Sequence, residues 1–259
     1  MRSPVSDPMS LHRFLLSDNL DVRRPHLEVP LDSRVARHLE VLRIAPGEHI
    51  VLVDPAHSAV EVSMTSFVDG MLSCEFVREV PGHERFDVRL YQGISKGERM
   101  DLVFRACTEL GVARIAPVMM SRCIVRLDEG KARAKAERWR RIALSAAEQA
   151  GRISAPDVPG VMGFDEAVVD AAGCDAIVVP YEEKDTGSIR TALAGLPSDA
   201  SIALFIGPEG GFEESEIAAL YSAGAKVVTL GPTILRTETA GIVASTLVLS
   251  QLGALGMDA

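Results

Sequence analysis

The residues of this chain that could do chemistry are concentrated in two short loops of its carboxyl-terminal half. The first loop, 207–211, reads GPEGG, and the second, 231–236, reads GPTILR. Glycines let a backbone adopt positive φ and approach a ligand closely. Carboxylates can accept protons, and an arginine can stabilise negative charge as it develops. We therefore predict that the two loops together form a ligand-binding and reaction site.

Acidic residues directly follow the first loop. Glu213, Glu214 and Glu216 occupy the first turn of a predicted helix. Carboxylates at this position interact favourably with the helix dipole, but they would repel a phosphate group. The pattern favours an uncharged or zwitterionic ligand over a nucleotide triphosphate. The alternative is that the glycines only form a tight structural turn.

Arg236 is the cation of the second loop, and it lies between apolar residues. Solvation alone does not explain an arginine in a loop that enters a helix. One interpretation is that Arg236 stabilises a developing anion. The other is a structural salt bridge to Glu209 or Glu238.

The elements that must position these loops alternate between strand and helix from residue 86 onward. The runs SIALFI (201–206) and KVVTL (226–230) read as buried strands that each end in one of the two loops. Such alternation predicts a parallel sheet with helices on both faces, and ligands bind at the carboxyl ends of its strands. The loops would lie side by side if their strands are neighbours. Residues 1–80 instead read as a small β-rich domain, with a hairpin signal at Asp69-Gly70.

Composition excludes several classes of protein. The net charge of −9 argues against a broad nucleic-acid-binding surface, although basic residues cluster between 121 and 141. All six histidines lie at or before His83, so the carboxyl-terminal half lacks a Ser-His-Asp triad. The P-loop, the dinucleotide-binding glycine motif and the G-x-S-x-G elbow are absent from the sequence.

The remaining features are those expected of a cytoplasmic protein without metal. No apolar run is long enough to span a membrane, and the amino terminus lacks the apolar core of a signal peptide. The four cysteines lack metal-ligand spacing, so we expect reduced thiols and no metal site. They are Cys74, Cys107, Cys123 and Cys174.

Several separated motifs resemble one known family. FIGPEGGFEESEI (205–217) and LGPTILRTETA (230–240) are similar to motifs of the small-subunit (16S) ribosomal RNA uridine-N3 methyltransferases of the SPOUT class. KGERMDLVFRACTELGV (96–112), Arg122 and AAEQAGR (146–152) resemble the same family. These motifs occur in the family's order, and the resemblance covers nearly the whole chain, because the amino-terminal part resembles the family's PUA-like RNA-binding domain.

The resemblance implies an α/β fold with two domains. Residues 84–259 would form a trefoil-knotted parallel-sheet (SPOUT) methyltransferase domain, and residues 1–80 a PUA-like β-barrel RNA-binding domain. It further implies a homodimer that binds S-adenosylmethionine in the knot. The reaction would methylate N3 of a uridine in 16S ribosomal RNA of the small ribosomal subunit.

Site residues follow from the same resemblance. The catalytic candidates are Arg236, Glu209 and Glu238, with the choice of a carboxylate as proton acceptor left open. The cofactor-binding candidates are Pro180, Ile206, Gly207, Pro208, Gly210, Gly211, Leu230, Gly231, Ile234, Leu235 and Thr239. The Glu182-Glu183 pair reads either as a cofactor contact or as a solvated acidic turn. The RNA-binding candidates are Arg13, Arg23, Arg24, Lys96, Arg122 and Arg152.

Three other functions remain open from the sequence. A SPOUT enzyme could act on another target, such as a transfer RNA base or a ribose 2′-hydroxyl. A non-enzymatic RNA-binding module would not need the two glycine loops. A small-molecule α/β enzyme could use a different cofactor in the same crevice.

Overall fold

The computed structural model divides the chain into two compact units. The first unit comprises residues 1–83 and 147–155, and the second comprises 84–146 and 156–259. The structure describes residues 11–22, 24–81, 86–181 and 187–256.

The first unit is built on a mixed five-stranded sheet, counted over its described residues, in the order β1-β3-β4-β5-β2. Its elements are β1 (Arg13–Leu15), β2 (His26–Pro30), α1 (Ser33–Leu42), β3 (His49–Val53), β4 (Ala59–Val68) and β5 (Met71–Val80). β1 and β3 are parallel, and the other pairs are antiparallel. The hairpin predicted at Asp69-Gly70 is confirmed, since both residues have positive φ between β4 and β5.

A buried glutamate fastens the segment 147–155 within the first unit. One carboxylate oxygen of Glu148 accepts hydrogen bonds from the Leu15 backbone N–H at 3.2 Å and from Arg34 Nη1 at 2.7 Å. The other oxygen lies 3.6 Å from His38 Nδ1. A buried carboxylate is costly unless donors satisfy it. Glu148, which belongs to one of the family-like motifs, therefore has a structural role here.

The second unit is built on an all-parallel sheet with the strand order β11-β9-β10-β6-β7-β8 among its described residues. The strands are β6 (Val88–Gly93), β7 (Arg114–Met119), β8 (Met162–Gly163), β9 (Ala176–Pro180), β10 (Ile202–Ile206) and β11 (Lys226–Val228). The predicted parallel sheet is confirmed. Its central strands read as continuous apolar runs because helices cover both faces.

Helices connect these strands in the predicted alternation. They are α2 (Arg99–Leu110), α3 (Glu129–Gln149), α4 (Phe164–Ala171), α5 (Ile189–Ala192), α6 (Glu214–Ser222) and α7 (Thr237–Gln251). Gly111 ends α2 in a left-handed conformation with φ of 105°, as expected for a C-terminal glycine. α2 and α7 pack against each other.

Aromatic stacking marks the core of the second unit. Tyr91 on β6 and Phe205 on β10 are fully buried and stack with ring centroids 4.6 Å apart. Phe104 on α2 stacks on Trp139 on α3 at 5.2 Å. The first contact joins two adjacent strands of the sheet, and the second joins two of its helices.

The order of the strands differs from the simplest expectation. β10 and β11, which precede the two glycine loops, are not neighbours, because β9 pairs with both of them. Sequence order does not determine spatial order in a sheet with crossover connections. The loops can still approach each other, since all three strands run parallel and end at the same edge.

Two expected absences concern the described residues only. There, the structure contains no helix long and apolar enough to cross a membrane. The same residues contain no cluster of metal-ligating side chains. All four cysteines are free thiols, and three of them are buried.

Replacing Phe205 tests how much the aromatic core stabilises the second unit. We expect Phe205→Ala to lower the free energy of unfolding by about 3–5 kcal/mol, because it leaves a cavity beside Tyr91. Val169→Ala is the control, since Val169 is 76% exposed on α4, and it should change stability by less than about 0.5 kcal/mol. Urea denaturation measures both, and equal losses would contradict this account of the core.

Candidate active site

Three adjacent strands, β10, β9 and β11, end around a cavity of about 960 Å³. Pro180 ends β9 and Tyr181 follows it, so these two residues lie between the glycine loops that follow β10 and β11. The cavity is lined by Arg99, Pro180, Tyr181, residues 206–212, residues 229–238 and Ala240. The structure thus brings the two predicted loops together, with β9 contributing a third segment.

The loop after β10 lies so close to β6 and to Arg122 that two glycines at these contacts leave no room for a side chain. A Cβ atom at Gly93, the last residue of β6, would lie 2.5 Å from the backbone nitrogen of Pro208. A Cβ at Gly210 would lie 2.8 Å from the Cβ of Arg122. Glycine is therefore required at both positions by close approach of the chain.

A buried hydrogen-bond chain joins this loop to α7. Gln92, which is fully buried at the end of β6, donates from Nε2 to Thr237 Oγ1 at 2.9 Å. Thr237 in turn donates to the carbonyl oxygen of Gly207 at 2.5 Å. Since Thr237 lies between Arg236 and Glu238, this chain fixes both residues relative to the first glycine loop.

Arg99 at the start of α2 connects two of the candidate carboxylates. Its Nη1 donates to Glu209 Oε1 at 2.6 Å, and its Nε lies 3.7 Å from Glu238 Oε1. The backbone N–H of Lys96 donates to the same oxygen of Glu209 at 2.8 Å. Burial disfavours the charged form of Glu209, but these hydrogen bonds outweigh it and lower the pKa of the carboxyl group.

Arg236 does not form the structural salt bridge that the sequence left open. Arg99 occupies that role beside Glu209 and Glu238. Arg236 is exposed on the cavity wall and makes no ion pair within the described part of the chain. The cavity therefore presents a cation opposite glycine-rich backbone, with two carboxylates nearby.

Most predicted cofactor residues line the cavity. Thr239 does not line the cavity, and it is exposed to solvent. Successive helical residues point about 100° apart, so Thr239 and its neighbour Glu238 face different directions. Lining residues absent from the predicted site residues are Arg99, Tyr181, Phe212, Thr229, Pro232, Thr233, Thr237 and Ala240. The sequence did point to two of these residues, because Arg99 lies in the family-like segment KGERMD and Tyr181 directly follows Pro180. Glu182 and Glu183 lie outside the described residues.

The predicted RNA-binding residues divide by exposure. Arg24, Lys96 and Arg122 are exposed, and Arg122 pairs with Glu213 beside the first glycine loop. Arg152 is half-buried. Arg23 lies outside the described residues.

Arg13, which was predicted to bind RNA, is buried in the structure. It is only 4% exposed, and its Nε and Nη1 atoms have no hydrogen-bond partner among the described residues. Burial lowers the pKa of its guanidinium. β1 places the side chain inside the first unit, where Gly151 lies against it. The structure therefore does not offer Arg13 to a phosphate.

Comparison with known proteins identifies the family. Residues 83–249 match the model of a family described as an RNA methyltransferase domain. The chain is 34% identical over 223 residues to the ribosomal RNA small subunit methyltransferase E of Mycobacterium bovis, covering 84% of this chain and 81% of the relative. This chain belongs to the ribosomal RNA small subunit methyltransferase E family.

Other members of the ribosomal RNA small subunit methyltransferase E family agree in sequence and fold. The Bacillus subtilis member is 31% identical over 212 residues, which cover 80% of this chain and 83% of that protein. The crystal structure of the Neisseria gonorrhoeae member superimposes with a TM-score of 0.79 at 34% identity, over 93% of this chain and 97% of that one. The latter protein was crystallised bound to S-adenosylmethionine.

The close approach of β6 to the first glycine loop is testable. Gly93→Ala would force a methyl group against Pro208, and we expect a loss of about 1–3 kcal/mol in the free energy of unfolding. Hydrogen exchange at residues 207–211 should also accelerate. Gly173→Ala is the matched control, because nothing lies within 4 Å of a Cβ there and its φ is not positive. Unchanged exchange in the loop of Gly93→Ala would contradict the packing argument.

Proposed function

We propose that this enzyme transfers a methyl group from S-adenosylmethionine to N3 of a uridine in 16S ribosomal RNA. The observation that carries the proposal is the cavity itself, whose wall combines glycine loops with exposed Arg236 and two carboxylates. The family relationship supports the same substrate class and cofactor. A cytoplasmic location is part of the same proposal, since the proposed substrate is the ribosomal subunit.

The residues of the cavity fit the cofactor. Ile234 is 81% exposed on the cavity wall, although isoleucine is usually buried, and an adenine ring would cover it. The glycines at 207 and 210–211 keep side chains out of the way, so backbone groups can meet the polar edges of a ligand. The acids after Gly211 do not line the cavity: Glu213 pairs with Arg122, and Glu216 accepts hydrogen bonds from backbone N–H groups. Residues 206–211 and 230–235 would thus hold the cofactor.

Methylation at N3 of uracil requires a proton acceptor for N3 and a group that stabilises negative charge on the carbonyl oxygens. When bound, S-adenosylmethionine supplies an electrophilic methyl group on a positively charged sulfur. N3 of uracil carries a weakly acidic proton, and its electron pair becomes available only as that proton leaves. Arg236 would stabilise the negative charge that then develops on the uracil carbonyl oxygens. A carboxylate of the site would take up the proton.

RNA would reach the cavity through a small number of cations. Lys96 follows the strand end of β6, and Arg122 lies against the first glycine loop. Arg24 would act from the first unit, whose proposed role is that of a PUA-like RNA-binding domain. Phosphate contacts position an RNA without reading its sequence. An acidic protein with so few such contacts should prefer a structured substrate, such as the assembled small subunit.

A homodimer is the second part of the proposal. α7 carries apolar residues around most of its circumference, and a helix of this type is normally buried. Yet Leu247 on α7 is 43% exposed, and Leu102 on the adjacent α2 is 45% exposed. A second copy of the chain, related by two-fold symmetry, would cover these side chains. The trefoil knot of the methyltransferase domain remains a prediction from the family resemblance.

Methyl transfer is tested with labelled S-adenosylmethionine and unmodified small ribosomal subunits. We expect the wild-type protein to label one uridine at N3, as mapped by mass spectrometry of 16S ribosomal RNA digests. Label in transfer RNA, or on a ribose 2′-hydroxyl, would replace the proposed target. A calorimetric titration that gives no heat with S-adenosylmethionine would contradict the proposed cofactor.

Arg236→Ala separates chemistry from cofactor binding in the same assay. We expect the transfer rate to fall by about 10²–10³-fold, as for the loss of one stabilising donor. The dissociation constant for S-adenosylmethionine should remain within about 3-fold of wild type. Arg190→Ala, which removes an exposed arginine outside the cavity, is the control. Equal losses of binding and transfer in Arg236→Ala would indicate a structural role instead.

The dimer is tested by placing a charge on the exposed apolar helices. Leu247→Glu should convert the protein from twice the monomer mass to the monomer mass in sedimentation velocity. Val169→Glu is the matched control, since Val169 is exposed on α4, and it should leave the mass unchanged. A wild-type protein that sediments as a monomer at micromolar concentration would contradict the proposed dimer.

A further inference from the structure

We infer that Glu238 accepts the proton from uracil N3, while Arg99 and Glu209 position it. This inference rests on the proposed uridine-N3 methylation and assigns separate roles to the two carboxylates of the site. It depends on how many hydrogen bonds each carboxylate already accepts.

Glu209 is already committed to other donors. Its Oε1 accepts from the Lys96 backbone N–H at 2.8 Å and from Arg99 at 2.6 Å. Donors to the charged form of a carboxylate reduce its affinity for a proton, and the pKa of Glu209 is lowered accordingly despite its burial. Glu209 is therefore a poor proton acceptor.

Glu238 is less committed. It accepts no hydrogen bond from any residue that the structure describes, and its nearest cation, Arg99 Nε, is 3.7 Å away. Its Oε2 is buried without a hydrogen-bond partner, as is Oε2 of Glu209, so the difference lies in the other oxygen, which accepts two hydrogen bonds only in Glu209. A buried carboxylate oxygen without a donor is costly. The N3–H group of a uracil bound in the cavity, which Glu238 lines, would give this carboxylate its first hydrogen-bond donor.

The position of Glu238 also suits the reaction. It lies two residues after Arg236 on the same short segment, and Thr237 between them is held by Gln92 and Gly207. Arg236 and Glu238 can thus act on one uracil ring, the first at a carbonyl oxygen and the second at N3. Glu209 belongs to the opposite loop and reaches this segment only through Arg99.

The proposed step moves one proton and one methyl group. The N3–H bond breaks, and its proton passes to the carboxylate of Glu238. The electron pair left on N3 forms a bond to the methyl carbon as the carbon–sulfur bond breaks, and that bond's electrons remain on sulfur as a neutral thioether. The proton on Glu238 leaves to water when the methylated base departs.

Arg99 has a positioning role that is distinct from that of Glu238. Its guanidinium lies 2.6 Å from Glu209 Oε1 and 3.7 Å from Glu238 Oε1, so its positive charge offsets the repulsion between the two carboxylates. The charged residues facing Glu238 on the cavity wall are Arg99, Glu209 and Arg236. The adjoining groove adds Lys96, Glu98, Asp101, Arg105 and Arg138.

Isosteric variants test the two carboxylates. We expect Glu238→Gln to lower the rate of methyl transfer by about 10²–10⁴-fold near neutral pH, as for loss of a general base. Its affinity for S-adenosylmethionine and its unfolding midpoint should stay close to wild type. The deficit should shrink at alkaline pH, where uracil N3 loses its proton to solvent. Glu109→Gln, an exposed glutamate on α2, is the control and should match wild type.

Glu209→Gln should lower the rate less, and its deficit should persist at alkaline pH. The reverse pattern, in which only Glu209→Gln is rescued by alkali, would overturn the assignment. Parallel loss of folding and cofactor binding in Glu238→Gln would overturn it as well. A wild-type enzyme that does not methylate uridine N3 would refute the proposed function itself, whereas an active wild type with an unimpaired Glu238→Gln would refute only this inference.

Arg99 is tested through the pH profile. Arg99→Gln removes the cation beside the two carboxylates. We therefore expect the acidic limb of the pH profile of kcat/KM to move to higher pH. Arg99→Lys keeps the charge and should restore the limb towards its wild-type position. An unchanged limb in Arg99→Gln would overturn the positioning role, because a merely structural arginine would lower activity equally at every pH.

Discussion

The hydrogen-bond chain from Gln92 through Thr237 to Gly207 is the interaction on which the site depends. Gln92 comes from the central strand β6, Thr237 begins α7, and Gly207 begins the first glycine loop. A Cβ at Gly241 on α7 would lie 2.4 Å from Gln92 Oε1, so the helix packs directly over this residue. Three segments that are far apart in sequence are thereby held in one arrangement, and both Arg236 and Glu238 are placed by it.

The parallel sheet supplies the second constraint. Because β9, β10 and β11 run in the same direction, their carboxyl ends meet at one edge, and the loops that follow them enclose one cavity. Such an edge is where open α/β sheets bind ligands. The close contact between Gly93 and Pro208 then fixes the first loop against β6. Little freedom is left for the loop before a ligand arrives, which favours precise positioning of a reacting methyl group.

The sequence predicted the parallel sheet with helices on both faces, the two loops and most of the cavity wall, because these features come from local patterns. Long apolar runs and glycine turns are readable without tertiary information. The strand order was not, since β9 separates β10 and β11 through a long-range pairing. The short strands β1, β2 and β8 were missed, because two to five residues carry almost no periodicity. Arg99 as partner of both carboxylates, and the burial of Arg13, depend on contacts that only the folded chain defines.

The central claim is that both glycine loops and the residue after β9 bind S-adenosylmethionine in one cavity. Hydrogen exchange with and without S-adenosylmethionine tests this claim most directly, because it reports on each backbone segment separately. The account predicts slower exchange in residues 206–212, in residues 229–236 and at Tyr181, and little change in the first unit. Slower exchange in only one of the two loops, or outside these segments, would contradict it.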